Sequence, residues 1–507
     1  MSGPNKEQWE VAIHEELDTL NNKNVFSPVT HVPHGRRPIG SRWVFAVKPD
    51  GRFKARLVAQ GFRQIYGVDY FDTYSPTLHM DSLRILLAVA TFNDWEIHQI
   101  DIKTAYLEGD LSETIYMRTP EGINHSKYVK VNKALYGLKQ SGKVWNEKLD
   151  NRLVRLDFQK SESDSCIYIH NDREIFIGVY VHDLVICGKI ISDVVDLKRQ
   201  LFSYFPVKDL GPINLVVGWK ITRDRPTRTL NISQADYVIN KVESLGLGDA
   251  KSKNSPLEGY SAILPAEDDE QKADDSAYPS AIGSLGYASN STRPDICFAT
   301  SQLARFNASP VVRHWNGVCR VYRYLKDTKD YCITYSFGPR ASKLKNELMI
   351  KIFSDTDFAS DVHTRRSVSG YIVMLGGGPI CWQTKRQKSI ATSTTEAEYF
   401  ALFEASKQAI WVRRLLTELS IAEHLIDHDG LSILTDNQSA LALVKGTNST
   451  KAKHIDVAYH FSRECIQKGQ TKINYVPTGD MLADILTKPL NHSKIYPICK
   501  KIFHLQK

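Results

Sequence analysis

Two carboxylates in the first half of the chain stand where a buried strand has no use for a charge. Asp101 lies between Ile100 and Ile102, and Asp183 follows His182 between the apolar runs 175–181 and 184–187. Removing an unpaired carboxylate from water is costly unless it is neutralised or binds a cation. Two strand-borne acids are what a divalent cation site requires. Taken singly, Asp101 is equally well read as a solvated residue at an exposed strand end.

A second set of acids lies in the last third. Asp355 follows a strand expected over 350–353, and Glu396 falls in the first turn of a helix expected over 394–419. Asp436 follows a strand over 432–435, and Asp484 lies on a helix after Tyr475 and Val476. Four convergent carboxylates repel one another unless divalent cations neutralise them, so a two-metal hydrolytic site is the economical explanation. Ser393-Thr394-Thr395-Glu396 is also a capping box, which by itself explains Glu396 without chemistry.

Several elements must position these acids. The run 174–188 reads as a tight hairpin, two buried strands around the polar step His182-Asp183. A strand spans 96–102 after a helix over 82–92. Trp9, Ile13, Leu17 and Leu20 have helical spacing, and strands over 42–47 and 53–59 flank the turn Pro49-Asp50-Gly51. Arg52, Lys54 and Arg56 make this hairpin basic. That pattern fits a solvated strand face or a phosphate clamp, and the segment alone favours the solvated face. A helix follows over 233–247, an acidic linker over 266–275, and helices over 278–326. From 347 strands lead into a long helix, and further strands and helices follow.

At 507 residues the chain exceeds one core, and 42% hydrophobic with 24% charged residues is the balance of a folded protein. A net charge of +8 permits an acidic polymer as partner without demanding one. The eight cysteines form no C-x-x-C pair, which points to reduced thiols in a cytoplasmic or nuclear setting and not to secretion. No apolar run is long enough to span a membrane.

The segments Asp101-Ile102-Lys103-Thr104-Ala105-Tyr106, Leu135-Tyr136-Gly137-Leu138-Lys139-Gln140-Ser141 and Tyr180-Val181-His182-Asp183-Leu184 resemble the ordered motifs of copia-type retrotransposon reverse transcriptases. Upstream, the stretch from Lys54 to Gly61 is similar to the same family. Around the second set of acids, Thr394-Thr395-Glu396-Ala397-Glu398-Tyr399, Thr435-Asp436-Asn437-Gln438 and Leu482-Ala483-Asp484 resemble its RNase H. The resemblance implies a multidomain α/β (α+β) fold: a right-hand polymerase with fingers, palm and thumb, a connection region, and an RNase H-like mixed sheet with flanking helices. Expected divisions are fingers and palm over 1–225, thumb over 226–257, linker and connection over 258–346, RNase H over 347–490 and a tail over 491–507.

The same resemblance implies site roles. Asp101 and Asp183 would bind the polymerase cations, and Tyr106 would crowd a ribose 2′-hydroxyl. Gln140 would contact the incoming nucleotide, and Lys54 and Arg56 its triphosphate. Asp355, Glu396, Asp436 and Asp484 would hold the nuclease cations. The implied cofactor is Mg²⁺, with Mn²⁺ admitted, two ions per site. Implied partners are an RNA template, a DNA primer, RNA–DNA hybrid and deoxynucleoside triphosphates, in the cytoplasm within a virus-like particle or in the nucleus. No membrane partner is expected, and a dimer is admitted. One departure stands out: the family writes Tyr-x-Asp-Asp at the hairpin, and here His182 replaces the first acid. Imidazole is a poor ligand for hard Mg²⁺ and brings no negative charge. The expectation is therefore an impaired polymerase beside a competent nuclease, the alternative being a catalytically inactive remnant that binds nucleic acid. The chain would then be a processed fragment or a decayed reading frame.

Overall fold

The strand Glu96–Ile102 runs antiparallel to Asp183–Gly188, which turns back into Ile175–Tyr180. Val207–Pro212 closes one side of this six-stranded sheet, and Ile167–His170 and Gln159–Lys160 complete the other. The computed structural model describes residues 5–48, 51–123, 126–274, 276–338, 350–446 and 456–505. Both hairpin strands are almost wholly buried, as their unbroken apolar runs require of a sheet covered on two faces. Ile100, Ile102, Leu184 and Ile186 pack with Trp145 and Leu149 on one face. Ile97, Val185 and Cys187 meet the helix Met80–Phe92 on the other. Residues two apart along a strand share a face, so Gln99, Asp101 and Asp183 continue that second face beyond the apolar patch.

Every residue from Ser82 to Phe92 is buried, because the helix is enclosed between this sheet and the C-terminal part of the chain. Arg84, 1% exposed, donates to the carbonyls of Ile380, Asn290 and Ser291, each at 2.8 Å. Its guanidinium lies 3.9 Å from the centre of the Trp382 ring. One hydrophobic core therefore runs from the first sheet into the last.

The helix Lys6–Asn22 lies across the hairpin Ser41–Val47 and Phe53–Ala59, with Trp9 edge-on to Phe45 and Phe53 at 5.1 and 4.5 Å. Pro49 and Asp50 of the expected turn lie outside the described residues. A four-stranded sheet joins Leu215–Val216, Trp219–Asp224, Thr229–Ser233 and Ile333–Ser336. The division expected between 225 and 226 falls inside the second of its hairpins, and a strand from the 258–346 region completes the sheet. The ladder of backbone hydrogen bonds thus crosses the expected boundaries.

The last sheet is mixed, in the order Gly378–Arg386, Val368–Leu375, Lys351–Asp357, Leu431–Thr435, Thr471–Tyr475. Its first three strands are antiparallel and its last two run parallel to Lys351–Asp357. The helix Thr394–Glu418 covers one face with the buried stripe Glu398, Leu402, Ala405, Ala409, Val412 and Leu416. This spacing of four and three residues is that of a packed helix face. The architecture is mixed α/β and multidomain, and no described helix is long and apolar enough to cross a membrane.

Candidate active sites

Asp101 and Asp183 are register partners on neighbouring strands. The turn between the hairpin strands is Val181-His182, so the residue at the tip is His182, and Asp183 opens the returning strand. Val181 holds φ +57°, an unusual angle for a β-branched residue. Two bonds stabilise that turn: Trp145 Nε1 donates to Val181 O at 2.7 Å, and Ile102 N donates to His182 O at 2.9 Å. His182 Nε2 stands 3.9 Å from an oxygen of Asp101 and 3.9 Å from one of Asp183. Burial raises the Asp183 carboxyl, His182 and a bond from Gln99 Nε2 oppose that, and Asp101 adds to it. One atom from each of Asp101, His182 and Asp183 lies within 4.8 Å of the others.

A cleft of about 590 Å³ opens onto Asp101 and His182, walled by Lys54, Arg56 and Tyr136. Gly61 and Gly137 position that wall: a Cβ on Gly137 would stand 2.2 Å from Ala59 O, and one on Gly61 2.0 Å from Gly137 O. Only glycines permit this approach of the basic strand to the loop. Arg56 then lies 4.7 Å over the Tyr136 ring, and Tyr106 packs edge-on against Tyr136 at 4.8 Å. Burial and the neighbouring Arg56 lower the Lys54 ammonium. Of the expected residues, Lys54, Arg56 and Asp101 line this cleft, while Asp183 stands beside Asp101 on the neighbouring strand and Tyr106 lies against Tyr136.

Gln140 does not join them. It is 1% exposed; its Oε1 accepts from Gln64 Nε2 and its Nε2 donates to Asp69 O, both at 2.9 Å. Both ends of the amide are spent fastening the 64–69 loop, which leaves neither for a nucleotide.

In the last sheet, Asp355 is 3% exposed on its strand, with Asp436 just past the end of the parallel neighbour. The third carboxylate beside them is Glu398, and the expectation of Glu396 is corrected. Glu396 accepts from Thr392 N at 2.7 Å and Thr392 Oγ1 at 2.6 Å, while its own N–H donates to Ser393 Oγ. Helix residues two apart point about 200° apart, so a capping Glu396 directs Glu398 to the sheet. Its signal in the sequence was position: a carboxylate on the apolar stripe with Leu402 and Ala405.

Atoms of Asp355, Glu398 and Asp436 lie within 4.8 Å of one another. Glu398 Oε2 is buried and has no hydrogen-bond partner among the described residues. Burial raises the Glu398 carboxyl, and Asp355 and Asp436 raise it further. Burial likewise raises Asp355, against the pull of Lys488. Asp484 is outside this group of three; Lys488 Nζ links it, at 2.8 Å, to Asp355 at 3.3 Å. Three converging carboxylates with an orphaned oxygen fit a divalent cation. Two carboxylates and an imidazole, as at Asp101, fit a pair of hard cations poorly.

Residues 23–259 match the family described as "Reverse transcriptase (RNA-dependent DNA polymerase)". The chain is 38% identical, over 99% of its length, to the "Retrovirus-related Pol polyprotein from transposon TNT 1-94" of Nicotiana tabacum. It is 34% identical over 98% to that from transposon RE2 of Arabidopsis thaliana. It spans 38% and 34% of the length of these two relatives. Among solved structures, a foamy viral protease-reverse transcriptase in complex with double-stranded DNA is similar over 93% of this chain and 70% of its own, with TM-score 0.49 and 11% identity.

Proposed function

The chain belongs to the copia-type retrotransposon Pol family, as its reverse transcriptase region with an RNase H-like C-terminus, and on that premise we propose a nuclease that hydrolyses the RNA strand of RNA–DNA hybrids, joined to a right-hand polymerase whose DNA synthesis is impaired. The observation that carries the nuclease half is the Asp355, Glu398 and Asp436 cluster. A divalent cation bound there would supply Lewis-acid activation of water and neutralise charge at the phosphodiester. Asp355 is fixed by the Thr487 hydroxyl, which donates to Oδ2, and Thr478 Oγ1 donates to Asp436 Oδ2 at 2.8 Å. These bonds hold the carboxylates in place before substrate arrives, which lowers the cost of reorganisation in the reaction.

In the polymerase half, Lys54 and Arg56 border the cleft as a triphosphate anchor, and Tyr136 with Tyr106 behind it forms the wall beside the sugar. His182 removes one anion from the place where metal-bound phosphates would meet the primer end. That supports weak or absent synthesis with Mg²⁺.

One observation favours a second reading, a binder of hybrid that does not cut. Lys488 reaches both Asp355 and Asp484 and itself neutralises part of the cluster. Cleavage of a labelled RNA–DNA hybrid in Mg²⁺ separates the two. Cutting that Asp436→Asn abolishes supports the nuclease, and binding without cutting, unchanged by Asp436→Asn, supports the binder.

A further inference from the structure

We propose that Asp101, His182 and Asp183 form a site for a single divalent cation of borderline hardness, Mn²⁺ or Co²⁺ in class, in place of a pair of Mg²⁺ ions. The three side chains come from adjacent positions on neighbouring strands and their turn. The His182 backbone is tied by Ile102 N, and the preceding carbonyl by Trp145, so the imidazole is carried on a fixed turn.

The spacing suits one shared ion. With metal–ligand distances of about 2.1 Å, adjacent ligands lie about 3.0 Å apart and opposite ones about 4.2 Å apart. His182 Nε2 is 3.9 Å from each carboxylate, beyond hydrogen-bond reach and within that range. The charge also suits one ion. Two carboxylates balance one divalent cation; a second would add two positive charges beside Lys54, Arg56, Lys103 and Lys208, which border the same cleft. An imidazole nitrogen favours transition metals, whereas Mg²⁺ prefers oxygen donors in octahedral array.

A further observation lies at the edge of the cluster. Gln99 is 3% exposed, and its Nε2 donates to Asp183 Oδ1 at 3.2 Å. Its Oε1 is buried with no hydrogen-bond partner among the described residues. An amide with a buried, unsatisfied oxygen therefore adjoins the carboxylate that would bind the ion, a lone-pair acceptor that no described protein group satisfies.

The proposal goes beyond the functional reading above: it requires no DNA synthesis, and failure of hybrid cleavage would leave it standing. Its test is Mn²⁺ binding to the full chain, followed by electron spin-echo modulation from directly bound ¹⁴N. The second cluster offers carboxylates and no imidazole among its described residues, so an imidazole-type ¹⁴N signal reports the first site. We expect one ¹⁴N-coupled Mn²⁺ per chain, displaced by Mg²⁺ only at an excess of about 30-fold or more. His182→Asp should abolish the coupling and let Mg²⁺ compete within about 5-fold. His182→Ala should abolish the coupling without improving Mg²⁺ binding, with circular dichroism as the check that both variants fold. Absence of ¹⁴N coupling in the parent, coupling that survives both substitutions, or displacement by equimolar Mg²⁺ would each overturn the proposal.

Discussion

Glu396 and Glu398 stand two residues apart on one helix and do opposite things. The first turns outward to bond Thr392, and the second turns onto the sheet beside Asp355 and Asp436. Their substitutions should separate accordingly. Glu398→Gln is expected to lower hybrid cleavage by about 10²–10³-fold. Glu396→Gln keeps an acceptor for the cap and should change cleavage by less than about 3-fold, with a stability loss within about 1 kcal/mol. Single-turnover cleavage and thermal melting measure both.

The hairpin gives the opposite kind of prediction, a gain. His182→Asp restores a second anion next to Asp183 and should raise primer extension in Mg²⁺ by about 10²-fold or more. Extension of a labelled primer by parent and variant, at equal protein, is the measurement. No gain would contradict the role given to His182.

Arg84 ties the first sheet to the last. Replacing it with Met leaves the buried carbonyls of Ile380 and Ser291 without this donor, frees that of the exposed Asn290, and removes the contact with Trp382. Each orphaned buried group costs about 1–3 kcal/mol, so a loss of at least about 2 kcal/mol is expected. Urea unfolding followed by tryptophan fluorescence should show a lowered midpoint.

Asp361 provides a pH dependence away from either site. Burial pushes its carboxyl up, but Arg386, the Thr364 N–H and Arg305 together bring it down to about 2. A carboxyl depressed on folding adds stability that is full above its unfolded value, near 4, and is lost as pH falls through about 2. Asp361→Asn should therefore cost roughly 2 kcal/mol above pH ~5, and less at pH ~3. Denaturant unfolding of parent and variant at those two pH values checks the sign.

Much of this was legible because strands and helices announce themselves by period. The run Glu96–Ile102, the hairpin around His182, the pair Ser41–Val47 and Phe53–Ala59, and the long helix from Thr394 follow from apolar spacing and a capping box. The acids at strand ends followed from the cost of burying charge. What escaped depended on rotation and on distant partners. Glu396 and Glu398 differ only in which side of a helix they face, and the nearer cap made the wrong one prominent. Gln140 carries a motif, yet its two amide bonds go to Gln64 and Asp69, about seventy residues away in sequence. Pattern along the chain also gives no sign that Thr229–Ser233 pairs with Ile333–Ser336, about a hundred residues on, because that pairing is non-local.

The most direct test is a paired assay on the unmodified full chain in Mg²⁺: cleavage of an RNA–DNA hybrid and extension of a primed template, side by side. The account predicts hybrid cleavage that Asp436→Asn abolishes, with little or no extension. Efficient extension, or cleavage that Asp436→Asn leaves unchanged, would contradict it.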